Sequence, residues 1–142
     1  MSCLTSQEVQ AAIAKLPAID HHGEVVEHVG YGELRMRLPF SPEFMGRDVW
    51  KDSGARVYSG PTVLGFADTA MYACIVGSLG PEALGIMQTM TTNFLRPAKQ
   101  ADLIAKVRII RRGKRSLYLE AFLYSDGDAE PIGHTTATAA IR

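Results

Sequence analysis

Asp68 is the residue most able to do chemistry. It is the one formally charged side chain between Gly60 and Ser78, a run whose Val63, Leu64, Phe66, Ala67, Ala70, Met71, Ala73, Cys74, Ile75 and Val76 cover almost the whole circumference of a helix. An unpaired carboxylate in such surroundings is costly, or it takes up a proton. The residue types leave two readings: a carboxylate hydrogen-bonded to neighbouring backbone or to Thr69, or a base or nucleophile held in an apolar setting. A second concentration of chemistry lies further on. Residues 96 to 115 hold eight of the fifteen Lys and Arg (Arg96, Lys99, Lys106, Arg108, Arg111, Arg112, Lys114 and Arg115) with Asp102 the single acid, so the segment carries +7 and the remainder −7. A polyanion would be drawn there.

Other candidate groups are weaker. His21, His22, His28 and His134 show no zinc-ligand spacing with Cys or carboxylates, and no metal is expected. Asp126-Gly127-Asp128 lacks the further ligands of a calcium loop and reads as a tight turn. Phe40, Trp50, Tyr58 and Tyr72 could line a pocket or fill core, with core the better reading for Tyr72 because it sits on the apolar helix. Cys3 and Cys74 form no C-x-x-C pair, which fits free thiols in a reducing, cytoplasmic setting.

The elements that must position these groups follow from spacing. Thr5 and Glu8 make a capping box, with Val9, Ile13 and Leu16 at helical intervals until Pro17 stops the run, so residues 1–20 read as an N-terminal helix packing on a domain of residues 21–142. Val25 to Leu38 alternates, with Val26, Leu34, Met36 and Leu38 on one parity, and predicts a strand bent near Gly30 and Gly32. Residues 39–58 have no sustained period and predict a long loop, a place where sites form. Pro61 at a first helical position opens a central helix that Gly80-Pro81 ends, expected to be buried on nearly all sides. Four strands follow at about 84–95, 103–112, 116–125 and 131–141, and the alternating Leu103, Ala105, Val107 and Leu117, Leu119, Ala121, Leu123 give two of them one apolar face each.

Composition bounds the rest. With 142 residues, 46% hydrophobic and 21% charged, the chain suits one globular domain that buries roughly 70% of its unfolded surface without disulfides or zinc. No basic head precedes an apolar run at the N-terminus, and Val63 to Val76 is interrupted and short for a bilayer, so neither secretion nor membrane insertion is expected. Fifteen basic and fifteen acidic side chains cancel, which argues against a nucleic-acid binder.

Two strings carry a family resemblance: Ser59-Gly60-Pro61-Thr62-Val63-Leu64-Gly65-Phe66-Ala67-Asp68-Thr69-Ala70-Met71, and Asn93-Phe94-Leu95-Arg96-Pro97-Ala98. Together they resemble the hotdog-fold acyl-CoA thioesterases of the phenylacetate-pathway (PaaI-like) type, over about residues 25 to 141. The resemblance implies an α+β hotdog fold, a long central helix wrapped by an antiparallel sheet of five or six strands, here with a short N-terminal helix. It implies hydrolysis of an acyl-CoA thioester, with Asp68 in the place of the family's catalytic carboxylate and Gly60 in that of its backbone N–H donor. The family's H-G-G stands here as Ser59-Gly60-Pro61, so Ser59 offers a hydroxyl where a histidine is usual. Thr89, Thr91 and Thr92 occupy the strand where the family often has an acidic or asparagine side chain. No cofactor is implied, because CoA is part of the substrate. Its phosphates would fall to Arg96, Lys99, Arg111, Arg112, Lys114 and Arg115. Eight residues along one helix separate Gly60 from Asp68 by about 12 Å, whereas a reacting carbonyl sits about 3 Å from its donors. A two-fold pair of antiparallel helices, which the resemblance also implies, would bring Gly60 of one subunit toward Asp68 of the other, as a dimer or a pair of dimers. Two rivals remain: a dehydratase-like hotdog enzyme, which would normally need a histidine paired with the carboxylate, and a non-catalytic acyl-CoA binding module.

Overall fold

The computed structural model describes residues 3–17, 20, 22–48, 56–83 and 85–141. The capping box forms as expected: Thr5 Oγ1 accepts from the Glu8 amide at 3.2 Å and Glu8 Oε1 accepts from the Thr5 amide at 3.1 Å, which starts α1 (Ser6–Ile13). Val9 and Ile13 are the buried residues of this helix.

Val25 to Leu38 is not one bent strand. It is a hairpin of β1 (Val25–Gly30) and β2 (Glu33–Leu38), with Gly30 opposite Glu33 and only Tyr31 and Gly32 left for the turn. Gly32 takes φ +75°, which costs a glycine little, and its amide donates to Ser78 Oγ at 2.8 Å. A two-residue turn reverses the parity of facing residues, and a bulge between Val26 and His28 reverses it again, so that Val26 lies opposite Met36. The alternation therefore looks continuous across the turn.

Residues 39–58 are more regular than a loop where they are described. Pro42–Phe44 forms one 3-10 turn, and β3 (Met45–Asp48) pairs with β4 (Arg56–Tyr58). Trp50 and His21 lie outside the described residues. Ser59 then opens α2 (Gly60–Leu79), a helix about 30 Å long at 1.5 Å per residue. The four remaining strands are β5 (Ile86–Phe94), β6 (Leu103–Arg112), β7 (Ser116–Ser125) and β8 (Gly133–Ala140). The six long strands form one antiparallel sheet in the order β1-β2-β6-β7-β8-β5. Leu103, Ala105 and Val107 of β6 and Leu117, Leu119, Ala121 and Leu123 of β7 are all buried, as are Phe66, Ala67, Ala70, Met71, Ala73 and Cys74 of α2. The arrangement is the helix-in-a-sheet that the resemblance implied.

Three features decide where a site can be. First, α2 is not buried on all sides: Pro61, Leu64 and Asp68 are exposed and Gly65 and Tyr72 half-buried, which is one stripe at helical spacing. Second, the two sheet edges differ. At β1 the Gln10 side chain of α1 covers the edge, its amide nitrogen donating to Glu24 O at 2.8 Å and its oxygen accepting from Val26 N at 2.7 Å, whereas β5 pairs only with β8 among the described residues. Third, α2 is long and apolar enough to cross a membrane, contrary to the expectation from Val63 to Val76, but 67% of its apolar window is buried inside the protein. It is the core helix.

The strand ends beneath the helix start are tied by one guanidinium. Arg37 Nε donates to Glu27 Oε2 at 2.8 Å, and its Nη1 donates to Asp102 Oδ2 at 3.0 Å and Asp126 Oδ2 at 2.8 Å. The Arg37 hydrogen bond holds the Asp126 carboxyl below its ordinary value; at Glu27, burial raises the pKa but Arg37 and Arg35 outweigh it. Next to Asp102, Ala101 O accepts from Tyr58 Oη at 2.6 Å, which fixes the residue just before the Ser59 cap.

Gly77 is where α1 meets α2. Its carbonyl accepts from Leu4 N at 2.9 Å, and a Cβ built on it would sit 2.8 Å from Val29 Cγ1 and 3.3 Å from Val9 Cγ2. Gly77→Ala should therefore cost about 1–3 kcal/mol in denaturant unfolding, and adding Val29→Ala should recover part of it. An unchanged midpoint for Gly77→Ala would mean that the helices do not pack this closely.

Candidate active site

The start of α2 leaves one backbone donor open. Ser59 caps the helix: its Oγ accepts from Thr62 N at 3.3 Å and lies 2.8 Å from Thr62 Oγ1. Val63 N donates to Ser59 O at 3.2 Å, and Pro61 has no N–H. Gly60 N–H is then the first-turn donor with no acceptor among the described residues, at the positive end of the helix dipole. Beside it is an open cavity of about 320 Å³ whose walls include Gly60, Val63, Phe94, Leu95, Arg96 and Ile132. Tyr58, read as either pocket or core, contributes to both: it lines this cavity and is buried, its hydroxyl pushed up to about 12 chiefly by burial and further by Asp102. Phe40 packs edge-on against Tyr58 at 6.3 Å.

Asp68 lies in a different cavity, of about 230 Å³, walled by Leu16, Asp20, His22, Gly65, Thr69, Tyr72, Gly85 and Met87. Its carboxylate has no hydrogen bond or ion pair from a described residue, so the reading in which Thr69 satisfies it does not hold there. The residue is exposed in the single chain rather than buried, because it belongs to the open stripe of α2. Its pKa is nonetheless raised, first by partial burial in the cavity and second by the Asp20 charge facing it. Tyr72, expected in the core, is half-buried and lines this cavity instead. Cys74 is no rival nucleophile, since burial pushes its thiol up to about 12.

The six basic residues expected to act together are divided between the two ends of α2. Arg96 and Lys99 are near its N-terminus, where Tyr58 N donates to Ala98 O at 3.0 Å. Both are engaged with the β7–β8 turn: Arg96 Nη2 donates to Glu130 O at 2.8 Å and lies 3.8 Å from Asp128, and Lys99 Nζ donates to Asp128 Oδ1 at 2.9 Å. Gly127 at φ +88° makes that segment the tight turn expected of Asp126-Gly127-Asp128. Arg111, Arg112, Lys114 and Arg115 are on the β6–β7 turn, beside the β1–β2 turn that Ser78 holds at the other end of the helix. There Arg112 Nη1 donates to Tyr31 Oη at 3.0 Å, and Arg111, Lys114 and Arg115 have no ion pair among the described residues. Contiguity in sequence misled here, because β6 runs the length of the domain between the two groups.

Two of the three threonines of β5 have structural partners: Thr92 Oγ1 lies 2.8 Å from Thr135 Oγ1, and Thr89 Oγ1 accepts from Thr138 N at 3.3 Å. Sequence reasoning missed Leu16, Asp20 and His22. All three follow from where the chain goes after α1, and no spacing relates them to a residue some fifty positions later.

Comparison with known proteins gives the family and agrees with the fold. Residues 57–132 match the family model of the thioesterase superfamily. Among solved structures, a protein of Silicibacter sp. TM1040 described as a candidate thioesterase superposes with a TM-score of 0.82 at 23% identity, covering 100% of this chain and 95% of that one. A Haemophilus influenzae thioesterase gives 0.80 at 15% identity over 98% and 91%. A mutant of the phenylacetic acid degradation protein PaaI from Thermus thermophilus gives 0.68 at 17% identity over 84% and 93%. Comparison with curated proteins gave no match. The matched segment runs from β4 through α2 to the start of β8 and so contains Ser59, Gly60, Asp68 and the whole basic segment, and the chain is a hotdog-fold member of the thioesterase superfamily.

Proposed function

We propose that the protein hydrolyses acyl-CoA thioesters to free acid and CoA, in sites shared between two copies of the chain. The observation that carries this reading is the pairing, on one exposed helix face, of a Gly60 N–H and an Asp68 carboxylate that both lack a partner among the described residues, eight residues and about 12 Å apart. A second copy whose α2 runs antiparallel across the stripe of Pro61, Leu64 and Asp68 closes that gap. The open β5 edge beside the stripe offers the backbone groups for such a partner, and Ile86, Phe94 and Leu95 are exposed there at 63%, 56% and 53%. A dimer, or a pair of dimers, is the assembly this supports. Free cysteines at positions 3 and 74 fit a cytoplasmic setting.

In this reading the thioester carbonyl accepts from Gly60 N–H of one subunit, which stabilises the oxyanion that forms when the carbonyl carbon is attacked. Asp68 of the other subunit, ionised, attacks that carbon or takes the proton from a water that does. Collapse of the tetrahedral intermediate breaks the C–S bond, and the departing CoA thiolate takes up a proton. On the first route this leaves an acyl–Asp68 anhydride, which water hydrolyses to the free acid and the regenerated carboxylate. Ser59 holds the helix start in place rather than entering the chemistry. The phosphates fall to the basic turns. From Asp68 the C-terminal end of α2 is on the order of 16 Å away, a span suited to a pantetheine arm, and there Arg111, Lys114 and Arg115, without an ion pair among the described residues, stand with Arg112. Arg96 and Lys99 of the subunit supplying Gly60 flank the other side, already engaged by Asp128 and Glu130.

A thiol-release assay over short, medium, long and aryl acyl-CoAs tests the reading, and binding without thiol release from any of them would make the protein a binding module. Asp68→Asn should lower kcat by about 10²–10⁴-fold with the fold kept, whereas Ser59→Ala should cost only about tenfold. Because the Asp68 pKa is raised, kcat/KM should fall on acidification at a pH above the ordinary aspartate range. The same shift sets a stability sign: an ionised Asp68 is less favourable folded than unfolded. Asp68→Asn should thus melt above the native protein at neutral pH, with the gap narrowing as pH falls toward the unfolded pKa. Near-native turnover in a folded Asp68→Asn protein would remove Asp68 from the chemistry.

Arg112→Ala and Arg115→Ala should raise KM for acyl-CoA, more at low salt than at high, with kcat little altered. An acyl-pantetheine thioester, which lacks the nucleotide, should be insensitive to both substitutions. Equal KM increases for the two substrates would withdraw the phosphate role from this turn.

A further inference from the structure

Asp68 does not meet its cavity alone. The chain leaving α1 turns at Pro17, whose carbonyl accepts from Asp20 N at 2.8 Å, and the turn carries Asp20 against the open face of α2. His22 follows, anchored by its amide donating to a carboxylate oxygen of buried Glu24 and by its ring lying edge-on to Phe44 at 5.8 Å. Asp20 and His22 thus form a wall opposite Gly65, Asp68 and Tyr72 in a cavity of about 230 Å³.

The charge of this cavity limits what enters it. Its charged side chains, among the described residues, are two carboxylates, Asp20 and Asp68, with His22 and Tyr72 the other titratable groups and no Lys or Arg in the wall. Such a site repels phosphate, so the CoA moiety must leave in the other direction and the acyl group must be what enters. The same repulsion acts on an acyl group that ends in a carboxylate.

We propose that Asp20 is a specificity-determining residue, making this site select uncharged acyl groups over acyl groups of the same size bearing a terminal carboxylate. The inference rests on the thioesterase reading and adds the substrate class. It also gives Asp20 a second effect, since its charge contributes to the raised pKa of Asp68.

The test compares kcat/KM at one fixed pH for two size-matched pairs, 4-oxopentanoyl-CoA with succinyl-CoA and 4-nitrobenzoyl-CoA with 4-carboxybenzoyl-CoA. The native protein should prefer the uncharged member of each pair. Asp20→Asn should shift each ratio toward the carboxylate-bearing member by about tenfold, the scale of one like charge acting through partly aqueous surroundings. It should also move the acid limb of kcat/KM to lower pH, and Asp20→Glu should keep both native behaviours. Unchanged ratios in Asp20→Asn would overturn the inference, whether or not the limb moves. In either case the thioesterase reading would stand. That reading fails separately, if the native protein releases thiol from no thioester at all.

Discussion

An α-helix is a rigid ruler, and the separation it imposes between Gly60 and Asp68 is the constraint from which the rest of this structure takes its meaning. Eight residues of rise place a helix N-terminal donor and a carboxylate about 12 Å apart, four times the distance at which both could act on one carbonyl. No rearrangement of side chains closes such a gap, because the donor is backbone. The proposed two-fold axis near Leu64 would close it twice over. It would also make sense of the unburied stripe on the most apolar helix, the large apolar side chains Ile86, Phe94 and Leu95 standing exposed on and just beyond an edge strand, and a first-turn N–H without an acceptor among the described residues. Apolar surface along an open strand edge is a liability in a monomer and an asset in a symmetric pair.

The short N-terminal helix serves this arrangement from the other side. Gln10 takes up Glu24 O and Val26 N at the start of β1, whereas β5 pairs only with β8 among the described residues, and Val9 with Gly77 sets how near α1 comes to α2. The chain leaving α1 then becomes part of the Asp68 cavity. One element blocks an unwanted edge, covers the helix and walls the site, and the charge it brings beside Asp68 raises the basicity of that carboxylate.

Much of this was legible before any coordinates. The capping box, the proline at the start of α2, the glycine beyond its end and the alternation of β6 and β7 are local signals, and each element came where they put it. Asp68 stood out because a charge in an apolar helix demands a reason. What failed were inferences about neighbourhood. A bulge disguised the β1–β2 hairpin as one strand, and a basic run continuous in sequence divided between two ends of a helix because ten residues of β6 span the domain. Asp20 and His22 were invisible, since only tertiary packing brings residues near position 20 against residues near position 68. The helix was read as buried on nearly all sides, without its open stripe of Pro61, Leu64 and Asp68. Hydropathy counts apolar residues, and it does not distinguish a face covered by the chain's own sheet from one left open.

Co-expression of two inactive variants addresses the shared site most directly. Gly60→Pro removes the N–H while keeping a backbone angle suited to the first helical position, and Asp68→Asn removes the carboxylate. In a mixed dimer with sites made across the interface, one site carries both lesions and the other carries neither. Random pairing should therefore restore about a quarter of native thiol release. Activity no higher than that of either variant alone, in a preparation that contains the mixed dimer, would contradict the account.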